Sequence, residues 1–226
     1  SHSRGEKMEV HEALYTTRAM RRVKPDPVPR ELQARILDAA IRAPSGGNSQ
    51  GWRFMLVDDK EVIGRLAPVY QECLSTLFST IYKAPLDEAN AAPEDGDHPQ
   101  FLKMYRSAKH MGDHFAGYPL LLLAFSKGDP GGGSIFPAVW NAMLAARAEG
   151  VGSAITSVLL FQKDRMFEIL GVPADQGWNF ACLVPMGYPT GRWGIAPRRP
   201  VHEVSYRNQW GEPIGFEVNA PLWPRE

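Results

Sequence analysis

The sequence is short of cysteine, of net charge and of long apolar runs, and each shortage removes a class of protein. Only Cys73 and Cys182 occur in 226 residues. Secreted disulfide scaffolds use more cysteines at closer spacing, so this pair reads as two buried thiols in a reducing compartment. The 25 basic and 25 acidic side chains cancel. A balanced surface has no bulk field for nucleic acid or an anionic membrane, so phosphate recognition has to come from local clusters. No apolar stretch approaches the roughly 20 residues of a membrane span, and the N-terminus has no apolar signal-peptide core. The expectation is a cytoplasmic protein without membrane or nucleic-acid partners. Ser1 to Lys7 resembles an expression-tag remnant, with Met8 as the natural start.

Catalytic signatures are equally scarce. The chain has no H-E-x-x-H, no C-x-x-C and no paired carboxylates at catalytic spacing. It has no G-x-S-x-G elbow, and Ser45 has no histidine and carboxylate partners evident in the sequence. Gly128 to Gly133 lacks the Lys-Ser/Thr ending of a phosphate-binding loop and reads as a connection. His110 and His114 share a helical face at i and i+4, but no third metal ligand stands nearby. What remains is a supply of amides, hydroxyls, glycines and arginines. Such groups hold an organic cofactor that carries the difficult chemistry itself.

Those groups concentrate in Ala43-Pro44-Ser45-Gly46-Gly47-Asn48-Ser49-Gln50-Gly51-Trp52, between a helix pattern and a strand pattern. Gly46 and Gly47 permit close approach or positive φ, and Ser45, Asn48 and Gln50 offer donors and acceptors to a flat molecule with a polar edge. A second concentration is Arg18, Arg21, Arg22 and Lys24, directly before Pro25-Asp26-Pro27-Val28-Pro29. It reads either as a solvated basic edge or as a set of forks for a phosphate, which arginine binds bidentately.

Periodicity predicts helices over Glu9 to Thr17, Arg30 to Arg42, Ile63 to Tyr82, Phe101 to Phe115, Phe136 to Gly150 and Asp164 to Leu170. Strands are expected over Arg53 to Val57, Tyr118 to Phe125, Gly152 to Ser157 and Phe180 to Met186. Ala84 to Pro99, rich in Pro, Ala and acid and without periodicity, reads as a mobile cover or insertion. Phe136, Val139, Trp140 and Met143 form a stripe suited to core or subunit contact. From Val201 onward, Tyr206, Trp210, Phe216 and Trp223 are large anchors on a segment with little periodicity, as in an arm wrapped over another surface. With 44 % hydrophobic residues, the chain can bury the core of one domain, or at most two. The expectation is a single α+β domain over residues 8–226, with a cover around 84–115, an arm around 201–226 and a sheet of about four or five strands.

Three blocks carry a resemblance. Thr17-Arg18-Ala19-Met20-Arg21-Arg22, Pro27-Val28-Pro29 and Ala43 to Phe54 together resemble the N-terminal signature of the FMN-dependent nitroreductase family. Pro185-Met186-Gly187-Tyr188-Pro189 with Arg198-Arg199-Pro200 resembles its C-terminal signature. The similarity runs from Met8 to Trp210, and Ala84 to Lys109 is not diagnostic. It implies a nitroreductase-like α+β fold, a central, mostly antiparallel sheet flanked by helices. It also implies an intertwined homodimer with exchanged C-terminal arms and one FMN at each end of the interface.

On the matching positions, the resemblance implies that Arg18 and Arg21 hold the flavin phosphate and ribityl chain, within a cofactor segment that includes Ala19, Met20 and Arg22. Arg198 or Arg199 supplies a later phosphate contact. Pro44, Ser45, Gly46 and Asn48, with Gln50 as a weaker match, form a partner-chain loop beside the flavin, and Ile155, Thr156 and Ser157 run along the isoalloxazine ring. The implied activity is ping-pong hydride transfer from NAD(P)H to a nitroaromatic, quinone or similar small acceptor, with no protein acid, base, nucleophile or metal. Relatives that dehalogenate or fragment their own flavin, and flavin-sequestering proteins, are the competing readings. Thr17 and Ala19 depart from the Arg-Arg-Ser of many relatives, leaving one guanidinium and one hydroxyl fewer, and Gly51 stands where Pro is more familiar.

Overall fold

The structure, a computed structural model, describes residues 7–224, so the expected tag lies outside the described residues except for Lys7. The chain forms two compact units, one spanning Ala19–Arg192 and one joining the segment that ends at Arg18 to the segment that starts at Trp193. The helices are α1 (Val10–Thr16), α2 (Arg30–Ala40), α3 (Lys60–Ser79), α4 (Lys83–Ala91), α5 (His98–Asp113), α6 (Ile135–Ala148) and α7 (Lys163–Leu170). The strands are β1 (Trp52–Val57), β2 (Leu120–Ser126), β3 (Gly152–Ser153) and β4 (Asn179–Gly187).

The larger unit is built on a four-stranded antiparallel sheet in the order β1-β2-β4-β3. All seven residues of β2 are buried, as a continuous apolar run requires when both faces are covered. Strand alternation sends Leu121, Leu123 and Phe125 into one core and Leu120, Leu122 and Ala124 into the other. A bulge in the β2–β4 pairing between Ala124 and Phe125 returns Phe180 to the first core, while Cys182, Val184 and Met186 face the second. On the first face, α3 contributes Ile63, Leu66, Val69, Tyr70 and Cys73, and α7 contributes Met166 and Phe167. On the second, Ile36 and Ala40 of α2 meet Ala138, Val139, Ala142 and Ala146 of α6. The two cysteines are therefore buried on opposite faces of the sheet, and both thiols are free.

Local chemistry sets the element ends. Asp59 accepts the Glu61 N–H at 2.8 Å and caps α3. Asp129 accepts the N–H groups of Ser134 and Ile135, each at 2.9 Å, at the start of α6, so the glycine loop over residues 128–133 carries a helix cap. Gly171, at φ 70°, ends α7 in the left-handed conformation.

Two expectations are corrected. Residues 84–99 are not a structureless cover: α4 fills 83–91, with Ala89 fully buried and Pro85 in the first turn, where no backbone donor is needed. One fully buried alanine leaves no apolar stripe to read, which is why periodicity missed this helix. The strand expected over Gly152 to Ser157 is ladder only at Gly152–Ser153, with Thr156 returning to pair with Leu183 as a separate bridge.

In the smaller unit, α1 lies with the C-terminal segment. Leu14 and Tyr15 line a cleft of about 740 Å³ with residues 195–201 and 218–222. Tyr15 meets Trp223 at a ring separation of 5.8 Å, and the Val218 N–H donates to His202 Nδ1 at 3.0 Å. Trp210 is 91 % exposed, and Phe216 and Leu222 are exposed as well.

At Gly51 a side-chain carbon would sit 2.4 Å from the Lys127 carbonyl oxygen, whereas at Gly64 in α3 it would meet nothing within 4 Å. Gly51→Ala is expected to destabilise the protein by about 1–3 kcal/mol through overpacking against backbone. Gly64→Ala is expected to stabilise it by about 0.4–1 kcal/mol through helix propensity. Thermal or urea unfolding of the two variants beside wild type checks both signs.

Candidate functional site

Ala19 to Lys24 is extended and extends the sheet at the edge beyond β3. The Met20 N–H donates to the Ser153 carbonyl at 2.9 Å, Lys24 N–H to Tyr188 at 2.8 Å, and Thr190 N–H to Arg22 at 3.0 Å. The crossing is tight. A side-chain carbon at Gly187 would meet Val23 Cβ at 2.8 Å, and one at Gly152 would meet Met20 Cβ at 3.0 Å, so both positions require glycine to bring the segment onto the sheet. Met20 is buried in this packing and Ala19 pairs with Ser153, while Arg21 and Arg22 project into a cleft of about 360 Å³.

The arginine segment is held from the protein interior. The Tyr118 hydroxyl donates to the Arg21 carbonyl, and Arg21 Nη1 donates to Ser107 Oγ at 3.3 Å. Tyr70, stacked on Phe115 at 4.6 Å, is hydrogen-bonded to the Thr156 hydroxyl. Burial pushes the Tyr70 and Tyr118 phenols above the usual tyrosine range, and the Arg21 charge acts against that rise in both. Arg21 and Thr156, 135 positions apart by residue number, thus share the neighbourhood of one buried phenol. The Thr156 N–H and carbonyl are taken by Leu183, at 2.9 and 2.8 Å, and only its side chain is available to other partners. Ile155 and Ser157, on either side of it, are exposed.

The amide-rich stretch is an exposed loop with a 3-10 turn at Gly46–Asn48. Ser45 Oγ accepts the Gln50 N–H at 2.9 Å, Ser45 carbonyl accepts the Asn48 N–H at 2.8 Å, and the Gly46 N–H donates to Ser134 Oγ at 3.3 Å. The Ser45 oxygen therefore braces the loop, leaving its O–H to donate elsewhere. Gly47, Asn48 and Gln50 all have left-handed backbone, with φ of 57°, 52° and 50°. Asn tolerates that conformation, whereas for Gln50 it is sterically costly, of the kind retained at ligand-binding loops. Pro44, Asn48 and Gln50 are exposed.

The two features occupy diagonally opposite corners of the sheet. The loop feeds β1 at Trp52, which pairs with Ser126 and through it with Asn179, whereas the arginine segment lies beyond β3, whose Ser153 pairs with Met186 opposite Leu120. Three to four strand spacings separate them by about 14–19 Å across the sheet, and the six residues from Ser126 to Leu120 add about 20 Å along it. No side chain bridges such a distance. Arg18, Arg198 and Arg199 belong to the smaller unit. Arg198 and Arg199 line its cleft with Thr17, and a carbon added at Gly194 would lie 3.8 Å from Arg18 Nη1.

The site has no activated nucleophile among its described residues. Burial pushes Cys73 up to about 11, with Glu72 adding to it, and Cys182 up to about 12. No three metal-ligating side chains converge among the described residues, and no helix there is long and apolar enough to cross a membrane. Sequence reasoning missed Tyr70, Ser107 and Tyr118, because a phenol or hydroxyl in an apolar helix or turn carries no local signal of a partner dozens of positions away.

Comparison with known proteins takes in these same features. The chain is 28 % identical over 216 residues to a NADH dehydrogenase of Thermus thermophilus, covering 87 % of this chain and 95 % of that one. It is 30 % identical over 184 residues to a 5,6-dimethylbenzimidazole synthase of Rhodospirillum rubrum, covering 76 % and 78 %. Among solved structures, oxidized iodotyrosine deiodinase bound to FMN and 3-iodo-L-tyrosine has the same fold, with a TM-score of 0.69 at 24 % identity over 89 % of this chain and 99 % of that one. The model described as the nitroreductase family matches residues 14–188. A match that includes the arginine segment, the amide loop and every strand of the sheet shows that this chain belongs to the nitroreductase family.

Proposed function

We propose that the protein is a homodimeric flavoenzyme that binds FMN and passes hydride from NAD(P)H to a small acceptor, such as a nitroaromatic or a quinone, by a ping-pong mechanism. The observation that carries this reading is the placement of fixed cations and amide donors at opposite corners of one sheet, with no activated nucleophile between them. The donor set fits the cofactor. Arg21 is the charged fork for the phosphate and ribityl end, with Arg22 beside it in the same cleft. Arg18 and either Arg198 or Arg199, the further phosphate contacts that the family resemblance implies, belong to the smaller unit. The amides and hydroxyl of Asn48, Gln50 and Ser45, with Pro44 and Gly46, suit the polar edge of a flat ring, and exposed Ile155 and Ser157 flank the Thr156 hydroxyl along it.

Bound FMN would supply the hydride chemistry at N5, which no side chain of this chain offers. The protein residues orient, shield and neutralise. Arg21 balances phosphate charge, the buried Tyr118 hydroxyl fixes the backbone that carries it, and the left-handed turn at Asn48 and Gln50 presents amides without waiting for the loop to order. Because one chain's loop and arginines lie too far apart to serve one ring edge and one phosphate, the loop serves the cofactor held by a partner copy. The exposed Trp210, Phe216 and Leu222 of the C-terminal arm supply apolar surface for that partner. The 30 % identity to a 5,6-dimethylbenzimidazole synthase favours a second reading, a specialised reaction on the same flavin scaffold.

Three outcomes are expected. Arg21→Ala weakens FMN retention by about 1.5–3 kcal/mol, the worth of a charged hydrogen bond, as measured by flavin absorbance after gel filtration. Anaerobic stopped-flow mixing with NADPH or NADH bleaches the bound flavin rapidly, and failure with both donors removes the oxidoreductase reading. Arg21→Ala and Asn48→Ala, each impaired alone, complement when unfolded and refolded together, because half of the randomly assorted dimers then hold one intact site. Recovery of about a quarter of wild-type flavin binding supports sites built from two chains, and none argues for sites within one chain.

A further inference from the structure

The helix that walls the arginine cleft has a second face. On one side of α5, Ser107 accepts from Arg21 at 3.3 Å and His110 meets Arg22 at 3.0 Å. Tyr105, Lys109 and Gly112 fall on the other side, as a helix of about 3.6 residues per turn requires, and they line a cavity of about 390 Å³ between α3, α4 and α5. The two cavities share no lining residue.

The space between α3 and α5 is held open by contacts at both ends. At one end Gln71 Nε2 donates to the Gly112 carbonyl at 3.0 Å, and a side-chain carbon at Gly112 would lie 2.8 Å from Leu74 Cδ2, so the lack of a side chain lets the helices come this close. About one turn farther along α3, Phe78 meets Tyr105 at 4.7 Å with the rings inclined by 76°. Phe78 also meets Tyr82, which leads into α4, at 5.6 Å, and Tyr82 meets Phe101 at 5.9 Å. Rings therefore frame the corner where the three helices join.

The lining sets the class of ligand. Leu74, Phe78, Leu86 and Tyr105 supply apolar walls, and the two inclined rings offer an entering ring a face and an edge together, the arrangements aromatic pairs favour. The hydroxyls of Ser75 and Tyr105 have no hydrogen-bond partner among the described residues, and Gln71 keeps its side-chain carbonyl and one N–H after bracing α5. Lys109 and Asp113, the charged groups of the lining, pair with each other at 3.2 Å. Cancelled charges give no net attraction to an anion or a cation. Apolar walls with a few free donors and acceptors suit a flat, uncharged molecule that carries a polar substituent.

We propose that the cavity between α3, α4 and α5 binds an uncharged aromatic molecule of one or two rings bearing a hydroxyl or carbonyl group, at a site separated by α5 from the arginine cleft. The ring enters the Phe78–Tyr105 corner against Leu74 and Leu86, and its substituent reaches the Ser75 and Tyr105 hydroxyls. The site stands independently of the flavin reading, because none of its residues is assigned to the cofactor.

The probe is 2-naphthol, which is flat, uncharged at neutral pH and fluorescent, with naphthalene-2-sulfonate as its anionic counterpart. Each is titrated into the purified protein with and without FMN. The expected result is saturable 2-naphthol binding that FMN changes by less than about twofold, with the sulfonate bound about tenfold more weakly or worse. Ser75→Phe, which puts a ring into the cavity, weakens 2-naphthol binding by about tenfold or more. Tyr105→Phe, which removes one hydroxyl, weakens it by about three- to tenfold, the worth of one hydrogen bond. Both variants are checked for native circular dichroism, and Tyr105→Phe keeps the ring, so it reports on the site even where the bulkier variant does not fold. Absence of saturable binding, equal affinity for the sulfonate, displacement by FMN, or wild-type affinity in either folded variant overturns the proposal. Neither FMN retention nor turnover enters these outcomes, so they stand apart from the test of hydride transfer.

Discussion

Everything in the larger unit depends on burying both faces of β2. A strand with seven buried residues cannot persist at a solvent boundary, so helices must cover it twice: α3 and α7 on one side, α2 and α6 on the other. The alternation of Leu120 to Phe125 divides its side chains between two separate cores, and the bulge near Phe125 keeps β4 in step with that division. A one-residue slip would exchange the two sets and disrupt both cores together. The sheet is therefore a rigid plate, and the functional groups occur where the plate ends.

At one corner, the arginine segment is docked by absence as much as by contact. Gly152 and Gly187 provide room for Met20 and Val23, and the Tyr118 hydroxyl secures the Arg21 carbonyl from below. Arginines on a free surface segment would sample many positions, whereas here the backbone that carries them is paired on the sheet edge and anchored to a buried phenol. At the opposite corner, the loop maintains left-handed Asn48 and Gln50 through the Ser45 brace and the contact with Ser134. Both corners hold their polar groups in place through contacts within the chain.

Much of the fold was legible in the sequence. The apolar run of β2, the stripes of α2, α3 and α6, and Gly171 after α7 are local signals, since burial on one or both faces imposes a period that composition must follow. Legibility failed where one buried residue anchors a helix, as Ala89 does in α4, and where a strand is only two residues long, as β3 is. The amide loop was conspicuous because its chemistry lies within ten consecutive residues. Tyr70, Ser107 and Tyr118 were not, because their partners lie 86 to 97 positions away in two of the contacts. The histidine pair was visible as i and i+4 on a helix without a third metal ligand nearby, but its stacking and its contact with Arg22, 88 positions away, were not.

The sequence by itself determined the α+β class and the arginine and amide blocks, because each of these depends on residue type and short spacing. Only the tertiary structure decided that Arg21 and the loop at Asn48 stand at opposite corners of one sheet, that the two thiols are separated by it, and that Arg22 meets His110. Those relations join positions that are remote in sequence, and they follow from strand order and close packing, which no local pattern encodes.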